Sequence, residues 1–271
     1  MRETILQRAK ETAVRAVKEA GEIHRSLFGR AIGVEEKGQH GDLVTEADHR
    51  AEAAILRILA AEFPDHQIRS EETGWAGVES EWLWLVDPLD GTNNFAIGLP
   101  VYGVSVTLIH RQEPLLGVIY EPVTDTLYVA ERGKGAQCNG LPLRLADRIR
   151  HTTGKPTVGW IQGHQVQMEE RPMRLKHHLD TRSKRVLRLW APTLLWCALA
   201  RGDIDGIVLY NSEGDDLYSG ILIAQEAGAA VVDFEGNLFA GMNNEPYIIA
   251  CRPDQTAAFL ELVRQGLEGN A

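Results

Sequence analysis

Between Glu3 and Phe28 the apolar residues Ile5, Leu6, Ala9, Ala13, Val14, Ala16, Val17 and Ala20 recur at helical spacing, the pattern of a helix that buries one stripe. Gly29 and Gly33 predict its end. A second helix is predicted from Thr45, where Thr45-Glu46-Ala47-Asp48 sets a hydroxyl ahead of an acid, as helix starts do. Ala51, Ala54, Ile55, Ile58 and Leu59 keep the spacing, and Pro64 closes the segment. From Trp82 the texture changes to short apolar runs between turn residues: Trp82 to Val86, Val101 to Ile109, Leu115 to Tyr120 and Thr126 to Ala130. These predict strands. Beyond His151, strands are predicted at Val158 to Ile161, Ile204 to Leu209, Ala229 to Phe234 and Tyr247 to Cys251. Helices are predicted at Leu194 to Ala200, Asp216 to Ala227 and Thr256 to Leu267. Helices alternating with sheet predict a layered α/β fold with helices on both faces of its sheets.

The length, 271 residues, suits one large domain or two intimately packed halves. No repeat, low-complexity tract or Pro/Gly/Ser linker divides the chain, so one unit over 1–271 is expected. Its hydrophobic share of 44% and charged share of 24% are ordinary globular values and exclude disordered and fibrous classes. No apolar run reaches membrane-spanning length. Met1-Arg2-Glu3-Thr4 carries an acid at once and lacks a signal core, so a cytoplasmic location is expected. Cys138, Cys197 and Cys251 cannot all pair, which fits a reducing compartment. Acids outnumber bases 38 to 28, for a net charge of −10, and this argues against nucleic acid or an anionic membrane as partner. The acid surplus reflects either solubility or carboxylates gathered for cations.

The most informative segment is Trp84-Leu85-Val86-Asp87-Pro88-Leu89-Asp90-Gly91-Thr92-Asn93-Asn94-Phe95, in which an apolar run enters two aspartates separated by a proline and followed by a glycine. Proline fixes one backbone angle and glycine permits turns closed to other residues, so the two carboxylates can point at one volume. Their repulsion there is relieved by a divalent cation with a preference for hard oxygen ligands. An ordinary acidic turn has the same composition. Three further acid positions have both a plain and a chemical reading: Glu71-Glu72 as a solvated loop, Asp216 and Asp48 as first-turn helix acids.

Four segments, in order, resemble the inositol monophosphatase family, lithium-sensitive Mg-dependent sugar-phosphate phosphatases: Asp42 to Asp48, Ser70-Glu71-Glu72, Trp84 to Phe95, and Asp216 through Glu226-Ala227-Gly228. The resemblance covers nearly the whole chain. It implies a five-layer αβαβα sandwich of α+β and α/β character, with an N-terminal half over about 1–150 and a C-terminal half over about 151–271, and a homodimer. It implies that Glu71, Asp87, Asp90 and the Leu89 carbonyl hold a first Mg²⁺, and that Asp87, Asp90 and Asp216 hold a second. Asp48 is then expected to act through water at a weaker third position and to orient Thr92, with Glu72 beside Glu71. Mn²⁺ is the expected substitute for Mg²⁺. Catalytic roles fall to Glu71, Thr92 and Asp48, and phosphate binding to Asp90, Gly91, Thr92 and Asn93.

Some positions depart from the family pattern. Ser70 replaces a usual glycine, Asn93 a usual threonine, and Asp215 a usual tryptophan. The segment Leu189-Trp190-Ala191-Pro192-Thr193 is bulkier and stiffer than the Gly-Ser/Thr-Ala turn that touches substrate hydroxyls in the family, and Leu209 stands where inositol-acting members place a glutamate. The catalytic parts are thus intact while the alcohol-binding parts are altered. The expected reaction is hydrolysis of a small phosphate monoester: inositol monophosphate, fructose 1,6-bisphosphate, histidinol phosphate or 3′-phosphoadenosine 5′-phosphate. A rival from another class is a catalytically idle relative that binds protein or RNA. The basic stretch around His177-His178 predicts a solvated face or a dimer contact, and Gly133-Lys134-Gly135 an ordinary hairpin turn.

Overall fold

The computed structural model describes residues 2–30, 33–37, 42–147, 154–163, 166–212, 217–243 and 245–268. Helix α1 (Arg2–Leu27) leads into a hairpin of β1 (Val34–Lys37) and β2 (Asp42–Thr45), and then α2 (Glu46–Glu62). Thr45 caps α2 in a capping box with Asp48, which satisfies backbone donors that a helix start leaves open. Next come β3 (Gln67–Ser70), β4 (Gly74–Gly77), β5 (Trp82–Asp90), the short α3 (Thr92–Ala96), β6 (Gly103–His110), β7 (Glu113–Glu121), β8 (Thr126–Glu131), β9 (Gly135–Cys138) and β10 (Leu141–Leu143). The remainder comprises β11 (Thr157–Gln162), α4 (Glu170–Arg182), β12 (Arg185–Leu187), α5 (Pro192–Arg201), β13 (Gly206–Tyr210), α6 (Leu217–Glu226), β14 (Ala230–Asp233), β15 (Tyr247–Cys251) and α7 (Thr256–Glu268).

Strands β3 to β10 form an eight-stranded sheet in the order β10-β9-β8-β7-β6-β5-β3-β4. Within it only β3 and β5 run parallel. The last strands form a five-stranded sheet, β12-β11-β13-β15-β14. The alanine-rich stripe of α1 and the apolar face of α2 pack on one face of the large sheet against Trp84, Val86, Val106, Val118 and Tyr120. Its other face meets α5 and α6, which also cover the inner face of the small sheet through Leu195, Leu199, Ile207 and Leu209. Helices α4 and α7 close the outer face over Trp160, Val208 and Ile249. The layers therefore run helix, sheet, helix, sheet, helix, the αβαβα order the resemblance implies.

Helix α4 replaces what the sequence offers only as a basic, partly amphipathic stretch. Pro172 falls in its first turn, where a missing N–H costs nothing, and Pro172, Leu175 and Leu179 form its buried side. All three cysteines are free. Among the described residues no helix is long and apolar enough to cross a membrane.

Candidate active site

The strand β5 does not stop at Val86, as the apolar run suggests, but continues through both aspartates. Asp87 pairs with Ser105 and Asp90 with Gly103, so β5 carries one more residue than β6 over this interval. Such a bulge bends a strand and re-aims its side chains, and it also accommodates Pro88, which has no N–H to give the ladder. Asp87 and Asp90 would face opposite ways on a regular strand. Here both are buried at its end, and the Leu89 N–H donates to Asp87 Oδ1 at 3.0 Å.

Gly91 follows with φ of 98°, and a Cβ there would lie 2.9 Å from the Val101 carbonyl oxygen and 3.2 Å from the Ala191 Cβ. A side chain is thus excluded by conformation and by space. The turn delivers Thr92, whose Oγ1 lies 2.8 Å from Asp48 Oδ1 and 2.9 Å from the Leu89 carbonyl oxygen. A hydroxyl has one proton. Its donation to the carboxylate is the stronger choice, and this leaves the Leu89 carbonyl free to face a positive partner. Asp48 is held in turn by the Thr45 N–H at 2.8 Å and the Thr45 hydroxyl at 2.6 Å. Burial raises the Asp48 carboxyl above its usual range and the charge of Glu72 adds to this, while the Thr45 and Thr92 donors oppose it.

Asp90 is bound by Thr193, whose N–H donates to Oδ2 at 2.8 Å and whose hydroxyl donates to the same atom. Burial drives its carboxyl upward and the neighbouring Glu71 charge pushes the same way, against the two Thr193 donors. Among the described residues no cation pairs with Asp48 or Asp90. Glu71 sits where β3 ends beside β5, its N–H donating to the Val86 carbonyl at 3.1 Å. The turn it opens is pinned from α2: Glu52, 2% exposed, accepts at Oε1 from Glu72 N–H (3.2 Å), Thr73 N–H (3.0 Å) and Thr73 Oγ1 (3.2 Å).

The structure thus joins Asp48 to Thr92 and places Glu71 within electrostatic reach of Asp90 and Glu72 within that of Asp48. Asp215 and Asp216 lie outside the described residues. Among the described residues no three His, Cys, Asp or Glu side chains are grouped closely enough to hold a metal ion. The donor chemistry nevertheless fits a hard cation: buried carboxylates of like charge, contacted at Asp48 and Asp90 by neutral donors only, beside a carbonyl with spare acceptor capacity.

The sequence profile of the inositol monophosphatase family matches residues 5–268. This chain belongs to the inositol monophosphatase family. Inositol monophosphatase 1 of Solanum lycopersicum is 34% identical over 260 residues, covering 93% of each chain. Nus factor SuhB of Vibrio cholerae is 33% identical over 256 residues, covering 93% of this chain and 94% of its own. The crystal structure of extragenic suppressor protein suhB from Bartonella henselae superposes with a TM-score of 0.85 at 28% identity, covering 95% of this chain and 99% of that one. Family membership supports phosphatase chemistry, and relatives that carry two kinds of name leave the substrate open.

Against the family pattern, Ser70 is buried with its hydroxyl unpartnered among the described residues. Asn93 Oδ1 is likewise buried without a partner there. Leu209 is fully buried in the core between the sheets, which makes it a packing residue. Pro192 opens α5, a favoured place for proline. His178 packs against Gly266 of α7, within 3.2 Å of where a Cβ would stand, as part of the α4–α7 contact. Three residues that sequence reasoning passes over prove central: Glu52, Thr193 and Asn94, whose Nδ2 donates to the carbonyls of Val101 and Leu189 at 2.7 Å each. For Glu52 a signal exists, because it stands one helical turn after Asp48 and shares its side of α2.

Proposed function

We propose that this chain is a Mg²⁺-dependent phosphomonoesterase acting on a small phosphate ester. The observation that carries the proposal is the Thr92 hydroxyl held by a buried Asp48 at the tip of a strand that buries Asp87 and Asp90. Glu71, Asp87, Asp90, the Leu89 carbonyl and Asp216 would hold two or three Mg²⁺ ions, with Mn²⁺ as substitute. Bound there, the ions would supply positive charge against the phosphoryl and leaving oxygens and acidify water. The chain's own part is positioning and proton transfer. Thr92 and Glu71 orient the attacking water, and Thr92 passes its proton to Asp48, whose carboxylate accepts from the Thr92 hydroxyl at 2.8 Å. Asp90 and the backbone of Gly91, Thr92 and Asn93 receive the phosphate, and Gly91 lets it approach closely. The oligomer is a homodimer, and Li⁺ inhibits by entering an oxygen-lined cation site.

A second reading, a catalytically idle relative that binds protein or RNA, draws on the Nus factor name of the Vibrio cholerae relative. The net charge of −10 weighs against RNA. Phosphate release from a panel of sugar, polyol and nucleotide phosphates, with Mg²⁺ and with chelator, separates the two. The phosphatase reading predicts chelator-sensitive release that Asp90→Asn abolishes while the fold survives, since the amide oxygen still accepts from Thr193. Release from no substrate, or a near-wild-type rate in Asp90→Asn, overturns it.

A further inference from the structure

The turn before α5 carries an anomaly that the phosphatase chemistry does not use. Trp190 has φ of 55°, in the left-handed region where a bulky side chain is a true outlier. Such a conformation persists only where surroundings over-determine it, and it concentrates at functional sites. The surroundings here are explicit, and all belong to the active-site tip. On one side of Trp190, the Leu189 carbonyl accepts from Asn94 Nδ2 at 2.7 Å. On the other, Ala191 is buried against Gly91, its Cβ 3.2 Å from where a glycine Cβ would stand. Two residues further, Thr193 grips Asp90 through its N–H and hydroxyl. Trp190 is therefore fastened from both flanks to the segment that carries Asp90, Gly91 and Asn94.

Trp190 is 53% exposed, whereas Trp84, Trp160 and Trp196 are fully buried. Among the described residues it makes no hydrogen bond and no ring contact. A large, half-exposed ring on a strained backbone, outside the apolar clusters of the core, gains little from the fold to offset that strain. The surroundings offer little to a polyol: Pro192 in the turn has no N–H, and Leu209 of β13 is sealed in the core. An aromatic face offers stacking area to any flat π-system without demanding a hydrogen-bond pattern.

Resting on the phosphomonoesterase reading, we infer that Trp190 is a specificity-determining platform, and that the preferred substrate is a phosphate monoester whose alcohol carries a flat aromatic or heteroaromatic ring. The carboxylate tip takes the phosphate and the indole stacks on the ring. Trp190 touches no reacting atom and leaves the chemical step alone.

A matched pair of substrates tests this: 2-phenylethyl phosphate and 2-cyclohexylethyl phosphate, equal in reach and differing in the flatness of the ring, with inositol 1-phosphate as polyol control. The wild type should favour the phenyl ester in kcat/KM. Trp190→Gly, which relaxes the backbone at this φ, should reduce the phenyl-to-cyclohexyl ratio by about tenfold, in line with the worth of a single stacked ring. Trp190→Phe should retain most of the ratio. An unchanged ratio in Trp190→Gly, or an equal loss on all three esters, overturns the inference. A changed oligomeric state with the ratio intact does the same and makes Trp190 an interface residue. Calorimetric binding of 2-phenylethyl phosphonate to wild type and Trp190→Gly separates this from the parent reading. Absence of turnover by the wild type would sink the phosphatase reading, while weaker phosphonate binding by the variant would still support the platform and equal binding would refute it.

Discussion

Replacing Glu52 with alanine removes a buried oxygen that pins the turn carrying Glu71. Glu52 Oε1 takes donors from Glu72 N–H, Thr73 N–H and Thr73 Oγ1 at 3.2, 3.0 and 3.2 Å. The turn itself is largely exposed, so water can satisfy its released donors, and each bond is worth its net value of about 1 kcal/mol. Glu52→Ala should then cost about 3 kcal/mol of stability. Glu52→Gln keeps an acceptor oxygen while losing the charge, and should cost about 1 kcal/mol. The functional effect follows from position. A freed turn no longer holds Glu71 against the Val86 end of β5, and loss of such a supporting contact typically weakens metal affinity by roughly 10- to 100-fold. Urea unfolding without metal measures the first effect, and the Mg²⁺ concentration at half-maximal phosphate release measures the second. If Glu52→Ala leaves both within error of wild type, Glu52 does not organise the site.

Two other substitutions probe the packing beneath and beside the site. His24 is fully buried with both ring nitrogens unpartnered among the described residues. It packs edge-on to Phe95 and Tyr102, and burial lowers its pKa to about 3, with the Arg25 charge adding to this. The unfolded chain takes up a proton below about pH 6.5 that the folded chain refuses, so this contribution to stability falls as pH drops from 6.5 toward 3, by about 1.4 kcal/mol per unit. Unfolding free energies from urea titrations should therefore show about 2 kcal/mol less pH dependence between pH 7.5 and 5.0 in His24→Leu than in wild type; equal slopes would contradict the assignment. Ser70→Ala deletes a buried hydroxyl that has no partner among the described residues and should stabilise by about 1 kcal/mol. A lowered unfolding midpoint would mean that the hydroxyl is satisfied.

What could be read from the sequence, and what could not, divides along physical lines. Helices α1, α2 and α7 each bury one face, so their periodicity is visible without a structure. Helix α5 is buried all round between the sheets and shows as a continuous apolar run. The hairpin β1–β2 and strand β4 are short, and Val34, Glu35, Glu36 and Trp75 are exposed, so no alternation marks them. The end of β5 was hidden for another reason. Pro88 and two aspartates argue against a strand, and only the bulge opposite Ser105 and Gly103 lets them occupy one. At the site, the acids announce themselves because Asp87, Pro88, Asp90 and Gly91 are adjacent in sequence. Their supports do not, because Thr193 reaches Asp90, and Glu52 reaches Glu72, only across the fold. Asn94, near the end of the motif, reads as one more turn residue until its contacts to Val101 and Leu189 are seen.

The central claim is that acids scattered along the chain meet to hold divalent ions where a phosphoryl group binds. Anomalous scattering from crystals of the full chain grown with Mn²⁺ tests it most directly. The account predicts Mn²⁺ peaks enclosed by Glu71, Asp87, Asp90 and the Leu89 carbonyl, with Asp216 completing the ligand set. A map with no peak among those side chains, at a Mn²⁺ concentration that supports full phosphate release, would contradict it.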